Sequence, residues 1–417
     1  MKARSILIRN INTLVQVESS DVTNFRKGQQ MKELPCLKDA YLLIENERIA
    51  AFGPNEEAPA NIGAVIDAEG GWLMPCFVDS HTHLVFAEWR NQEFEDRIKG
   101  LTYQEIAARG GGILNSARKL RELSESELYE RSLKRMIQAI QCGTGAFEIK
   151  SGYGLDTASE LKILRVIQRL KDEINIPIKA SFLGAHAFPQ EYKNDHQAYI
   201  KIIIEDMLPR IADEGLADYC DVFCEKGFYA TNEADQILSA ALKLGLEARI
   251  HTNQFTHSGG IALGLKHHAA SVDHLEVCND EEIELLMNSD THPILLPFAA
   301  FFMNLEYPPA RKMIDRGLGI ILASDFNPGT APNYDLTTIW GIACNQMKML
   351  PEEALNALTI NPAINLKLNR ELGSIAVGKL ANLILTKPAS ALSYFPYAWN
   401  HSWFSRIFIR GNPDFLA

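Results

Sequence analysis

The chain has 417 residues, 47% of them hydrophobic and 22% charged, and 52 acidic side chains against 41 basic ones give a formal net charge of −11. That composition excludes a disordered or fibrous polymer, and without a basic stripe to neutralise phosphates it excludes nucleic acid as a partner. Seven scattered cysteines with no Cys-x-x-Cys pair read as reduced thiols, the N-terminal apolar stretch breaks too early for a signal peptide, and the richest apolar run, 294–303, contains Pro297 and is too short for a bilayer, so a cytoplasmic protein with no membrane partner is expected.

From residue 5 to 68 the chain reads as short β-type runs separated by turn residues such as Gly53-Pro54-Asn55. The same texture closes the chain, at 373–385 and 406–412. Neither end has enough strands to bury a face alone. Residues 1–71 and 372–417 are therefore expected to pair into one composite β-sandwich domain. Between them, in 72–371, short apolar strands alternate with helix-period segments, the βα signature of a parallel sheet. Strand candidates end near His83, Lys150, His186, Cys224, Thr252, His274, Phe298 and Asp325. Eight is the number of a (β/α)₈ barrel, although an open doubly wound sheet has the same texture. Thr157-Ala-Ser-Glu160 reads as a capping box, and Thr231 as the cap of a helix that stops at Gly245. Gly110-Gly111-Gly112 is followed by no Gly-Lys-Ser/Thr and so reads as a loop over the first strand's mouth, not a phosphate cradle.

His81 and His83 lie two apart at the end of the first barrel strand candidate, where alternate residues face the same way and both rings can address one metal. Alone, the pair reads equally well as two loop histidines. His186, His251, His274 and Asp325 recur at the ends of later strand candidates, however, and the C-terminal mouth is where a barrel builds its site.

This order of His-x-His, His, His and Asp, with the split β-domain and the closing Gly373-Ser-Ile-Ala-Val-Gly-Lys-Leu-Ala-Asn-Leu phrase, resembles the amidohydrolase superfamily of metal-dependent hydrolases over essentially the whole chain. Finer phrases are Asp79-Ser-His-Thr-His-Leu-Val-Phe-Ala, Glu105-Ile-Ala-Ala-Arg-Gly-Gly-Gly-Ile, Lys150-Ser-Gly-Tyr-Gly-Leu, Phe182-Leu-Gly-Ala-His-Ala and Ser324-Asp-Phe-Asn-Pro-Gly-Thr. They resemble the branch that opens the imidazolone ring in histidine degradation. The resemblance implies hydrolysis of 4-imidazolone-5-propanoate to N-formimidoyl-L-glutamate, and one Zn²⁺ or Fe ion per chain on His81, His83, His251 and Asp325. It also implies substrate contacts from Arg90, Tyr153, His186, Gln254, Asn327, Gly329 and Thr330, and a homodimer. A bridging lysine for a second metal would stand at the end of the fourth barrel strand, where this chain has Cys224-Glu225; Lys150 comes two strands too early.

His274 is then free to polarise the scissile carbonyl or stabilise its oxyanion, and Asp325 to move a proton from water to the leaving nitrogen. Gln254, expected one helical turn past His251, departs from the glutamate that relatives place there as a proton shuttle, because glutamine can only hydrogen-bond. Arg90 offers a planar fork for a carboxylate, and Glu88, two residues before it, is expected to pair with it. Two rivals stand: an aminohydrolase that releases ammonia from a heterocycle, and a catalytically dead relative serving as a scaffold.

Overall fold

A computed structural model describes residues 5–18, 24–60, 63–101, 105 and 111–413. Its first strands are the short β-type runs: Ser5–Val15 (β1), Cys36–Glu45 (β2), Arg48–Pro54 (β3), Ala64–Asp67 (β4) and Trp72–Pro75 (β5). β2 and β3 form a hairpin whose two turn residues, Asn46 and Glu47, both have positive φ, the twist that keeps two strands together across so short a loop. β1 pairs with β2 on one side and, on the other, with β4 along Ile6–Arg9 and with β5 at Thr13–Leu14. Its register shifts between Ile8 and Ile11, a bulge that bends the strand and lets it serve both partners.

Eight parallel strands follow in sequence order: Phe77–Thr82 (β6), Thr144–Lys150 (β7), Ile178–Ala185 (β8), Tyr219–Cys224 (β9), Glu247–Thr252 (β10), Ser271–His274 (β11), His292–Leu295 (β12) and Ile321–Leu322 (β13). β7 and β9 are buried at every position, as strands must be when helices cover one face and barrel side chains fill the other. The ring closes where Asp325 N donates to the His81 carbonyl at 3.1 Å and His83 N to the Phe326 carbonyl at 2.8 Å. The seventh strand ends at Leu295 and not near Phe298, because Pro297 starts the helix Pro297–Met303.

Leu383–Thr386 (β14) and Phe404–Phe408 (β15) return to the first sheet, where β14 lies antiparallel between β5 and β15. The sheet has seven strands, and Ile6, Ile8, Leu42, Ile44, Leu73, Leu383 and Phe408 share one apolar cluster on it. β5, which lies inside the 72–371 expected for the barrel, thus pairs with strands of the terminal segments. Two helix starts also differ. Asp156, not Thr157, caps the helix Thr157–Glu173 by accepting from Ser159 N, and Ala230 precedes the helix Thr231–Lys243, with Glu233 accepting from its N–H. Residues 106–110, including Gly110, lie outside the described residues.

Candidate active site

At the C-terminal mouth of the barrel, His81 sits near the end of β6 and His83 just beyond it, His251 near the end of β10, and Asp325 three residues past β13. His83 Nε2 lies 3.4 Å from His251 Nε2, and Asp325 Oδ1 lies 3.5 Å from both His81 Nε2 and His83 Nε2. Around one tetrahedral zinc, ligand nitrogens about 2.0–2.1 Å from the ion stand about 3.4 Å apart, so the spacing fits a single cation. His81 Nε2 is buried and without a hydrogen-bond partner among the described residues, an orphan whose lone pair a cation would take up.

The rings are aimed from behind. His81 Nδ1–H donates to Asp273 Oδ2 at 2.6 Å and His251 Nδ1–H to Asp221 Oδ1 at 3.0 Å, which fixes the tautomer that leaves each Nε2 as the ligand atom. Lys150 Nζ bridges these carboxylates, 2.8 Å from Asp221 and 3.7 Å from Asp273, and also meets Glu148 at 3.0 Å. Burial pushes His83 down to about 4 and His251 to about 3, so both are neutral and able to ligate. His81 goes the other way: burial and Lys150 oppose its charge, but Asp273 and Asp325 outweigh them and lift it to about 9. These carboxylates favour positive charge at this position, which a divalent cation would supply in place of a proton. Burial also works against the Asp325 carboxylate, yet His81 and His83 hold it well below the usual range.

Beside this cluster is a cavity lined by Arg90, Tyr153, His186, Gln254, His274, Asn327 and Thr330 together with Phe223 and Phe228. His186 Nδ1–H donates to the Gly152 carbonyl at 3.0 Å, and burial holds the ring neutral, leaving Nε2 as an acceptor. His274 Nδ1 is 3.3 Å from Glu276 Oε1; burial disfavours its charge, but Glu276 wins and raises its pKa. His274 has φ of 89° and Leu275 of 65°, a left-handed turn that side chains adopt only at a cost and that folds Glu276 back under the imidazole. Gln254 lies in the loop between β10 and the helix Gly260–Lys266, not one helical turn on from His251 as expected. Asn327 shapes its own loop: Oδ1 accepts from Gly329 N and Thr330 N at 2.8 and 2.7 Å. Gly329 is not on the cavity wall but behind Arg90, whose Nη2 would lie 1.7 Å from a Cβ built there. Glu88 pairs with Lys119 at 2.7 Å, and it is Glu93 that stands 3.1 Å from Arg90 Nε.

Sequence reasoning missed Asp221, Asp273, Glu276 and Glu160. The Glu160 carboxylate accepts from the backbone N–H of Gly152, Gly154 and Leu155 at 2.7–2.9 Å and so builds the turn that presents Tyr153. The signal for Asp221 and Asp273 was present: each is an acidic residue inside an apolar strand, and a carboxylate survives there only when paired.

Residues 72–413 match the model of the amidohydrolase family. The chain is 48% identical over 408 residues to the imidazolonepropionase of Christiangramia forsetii, covering 98% of this chain and 99% of that one. It is 49% identical over 406 residues to the imidazolonepropionase of Flavobacterium johnsoniae, covering 97% and 98%. Among solved structures it resembles a triazine hydrolase from Arthobacter aurescens, with a TM-score of 0.73, 14% identity and coverage of 99% and 97%. An adenosine deaminase from Xanthomonas campestris with bound zinc gives 0.69, 14%, and coverage of 98% and 92%. At that identity the two structures speak to the fold only. The sequence relatives reach further, since they span the barrel mouth and both halves of the terminal sheet: the chain belongs to the amidohydrolase family, in its imidazolonepropionase branch.

Proposed function

We propose that this cavity hydrolyses the cyclic amide C–N bond of 4-imidazolone-5-propanoate, giving N-formimidoyl-L-glutamate in histidine degradation. The observation that carries the reading is the meeting, at one buried mouth, of His81, His83, His251 and Asp325, each within 3.5 Å of a neighbour in the cluster, with an arginine fork suited to a carboxylate. One zinc or iron ion would be held by His81, His83, His251 and Asp325, and when bound it supplies a nucleophile from water near neutral pH and polarises the ring carbonyl.

The remaining work falls to side chains. Arg90 takes the propionate, and Tyr153 and His186 flank the flat ring, with His186 Nε2 accepting a ring N–H. His274, backed at Nδ1 by Glu276, donates a hydrogen bond from Nε2 to the oxygen that gains charge. Water adds to the carbonyl carbon, the ring C–N bond breaks, and Asp325 carries the proton from water to the departing nitrogen. Gln254 orients by hydrogen bonding and moves no proton. Phe223 and Phe228 keep bulk water from the ring. The substrate is a small molecule, and among the described residues no helix is long and apolar enough to cross a membrane. A homodimer in the cytoplasm completes the proposal.

The test is a side-by-side assay of imidazolonepropionate, guanine and cytosine, following ring absorbance and ammonia. Loss of imidazolone absorbance without ammonia is expected. Ammonia release from either base, with imidazolonepropionate untouched, would overturn the reading in favour of a deaminase.

A further inference from the structure

A second set of ligand atoms converges outside the barrel mouth. Cys142 ends the helix Glu125–Gln141, Asp335 caps the start of the helix Leu336–Asn345, and His401 opens the turn that leads into β15. The thiol, a carboxylate oxygen and an imidazole nitrogen all lie within 4.8 Å of one another. His401 Nδ1 is 2.8 Å from Asp335 Oδ2 and 3.7 Å from Cys142 Sγ. Asp335 Oδ1 is already taken by Thr337 N and Oγ1 at 2.9 and 2.7 Å, which turns Oδ2 toward His401.

One imidazole proton serves only one side of this triangle. Placed on Nδ1 it satisfies Asp335 and offers the sulfur little; placed on Nε2 it leaves two lone-pair atoms facing each other at hydrogen-bond distance. A cation accepts from all three. With Zn–S near 2.3 Å and Zn–N near 2.0–2.1 Å, a tetrahedral zinc sets sulfur and nitrogen about 3.6 Å apart, and the gap here is 3.7 Å. The nitrogen and the carboxylate would have to part by about half an ångström, which the half-exposed His401 side chain has room to do.

We propose that Cys142, Asp335 and His401 form a second cation site, for zinc or a cation of similar affinity for sulfur, with water in the fourth position. The ion braces the segment before β15 against two barrel helices. Cys142 is buried, and zinc takes a cysteine ligand as its thiolate. Binding therefore displaces the thiol proton and strengthens as pH rises.

Cobalt(II) distinguishes the two sites, because a thiolate ligand adds a near-ultraviolet charge-transfer band that the nitrogen and oxygen ligands of the barrel cannot give. Protein dialysed to keep only its tightly held ion is titrated with cobalt. The expected result is a band that saturates at about one equivalent, is absent in Cys142→Ser, and needs roughly tenfold more cobalt in His401→Ala. Hydrolytic rate is expected to be unchanged in both variants. Should Cys142→Ser fail to fold, His401→Ala decides alone, since that side chain is half exposed. No band in the wild type at millimolar cobalt, or a band that survives His401→Ala unchanged, overturns the proposal.

Discussion

His274 occupies a backbone conformation that non-glycine residues avoid, and its ring is backed by a buried carboxylate, Glu276. Strain of this kind persists where surrounding structure enforces it, and here it aims one imidazole into the cavity. His274→Ala is expected to lower kcat by about 10²–10³, the usual loss of one oxyanion donor, with metal content unchanged. Near-normal turnover in a metal-replete variant would remove His274 from the chemistry. The proposed role of Arg90 is to hold a part of the substrate that does not change during ring opening, so Arg90→Lys is expected mainly to raise KM. A substrate analogue without the carboxylate is the control, and both enzymes are expected to handle it alike. Gly329→Ala is the companion experiment. Its methyl group would intrude on the guanidinium, so a KM effect like that of Arg90→Lys is expected, with no effect on bound metal. An unchanged KM would place the carboxylate pocket elsewhere.

Lys150, Asp221 and Asp273 come from β7, β9 and β11, the second, fourth and sixth barrel strands, while His81 and His251 come from the first and fifth. Alternate strands contribute side chains to alternate layers of such a barrel. The histidine ligands therefore come from odd strands and the groups that orient them from even ones, with Asp325 joining the ligands from beyond the eighth strand. Lys150→Met would leave Asp221 and Asp273 buried without their cation. The expectation is a loss of stability of about 3–5 kcal/mol and metal affinity weakened by about 10–100-fold, read by thermal melting and chelator competition. Wild-type affinity in the variant would show that the lysine is a spectator. The strand ends and their histidines were legible in the sequence because position along a strand fixes which way a side chain points. The orienting layer was not, because its pairs lie up to 192 positions apart and depend on register between strands. Thr157-Ala-Ser-Glu160 misled for a related reason: its pattern is that of a capping box, yet Asp156 took the cap and Glu160 was drawn to the Tyr153 turn. The shortness of β13 was likewise hidden, since the closure of the ring rests on backbone bonds beyond its end.

Among the described residues the barrel mouth holds one cluster of ligand atoms, with no lysine at the end of β9, so chelation is expected to remove one tightly held ion from the barrel together with activity. Two tight ions at the barrel mouth of a fully active enzyme would contradict this. An ion at this site would sit against buried carboxylates, and its removal is expected to lower the melting temperature as well as the rate, by loss of a ligand specific to the native state. The terminal sheet has a consequence of a different kind, for synthesis. Trp72 N donates to Thr386 Oγ1, 314 positions along the chain. While a ribosome is making the barrel, β5 has its β1 partner but not β14, and its outer edge is an open template for pairing with another chain. The last strands made are those that cover the edge of nearly the first. A chain ended before residue 383 is thus expected to assemble its barrel strands and still aggregate, whereas a circular permutant that supplies β14 and β15 ahead of β1 would present a covered edge from the start and yield more soluble protein.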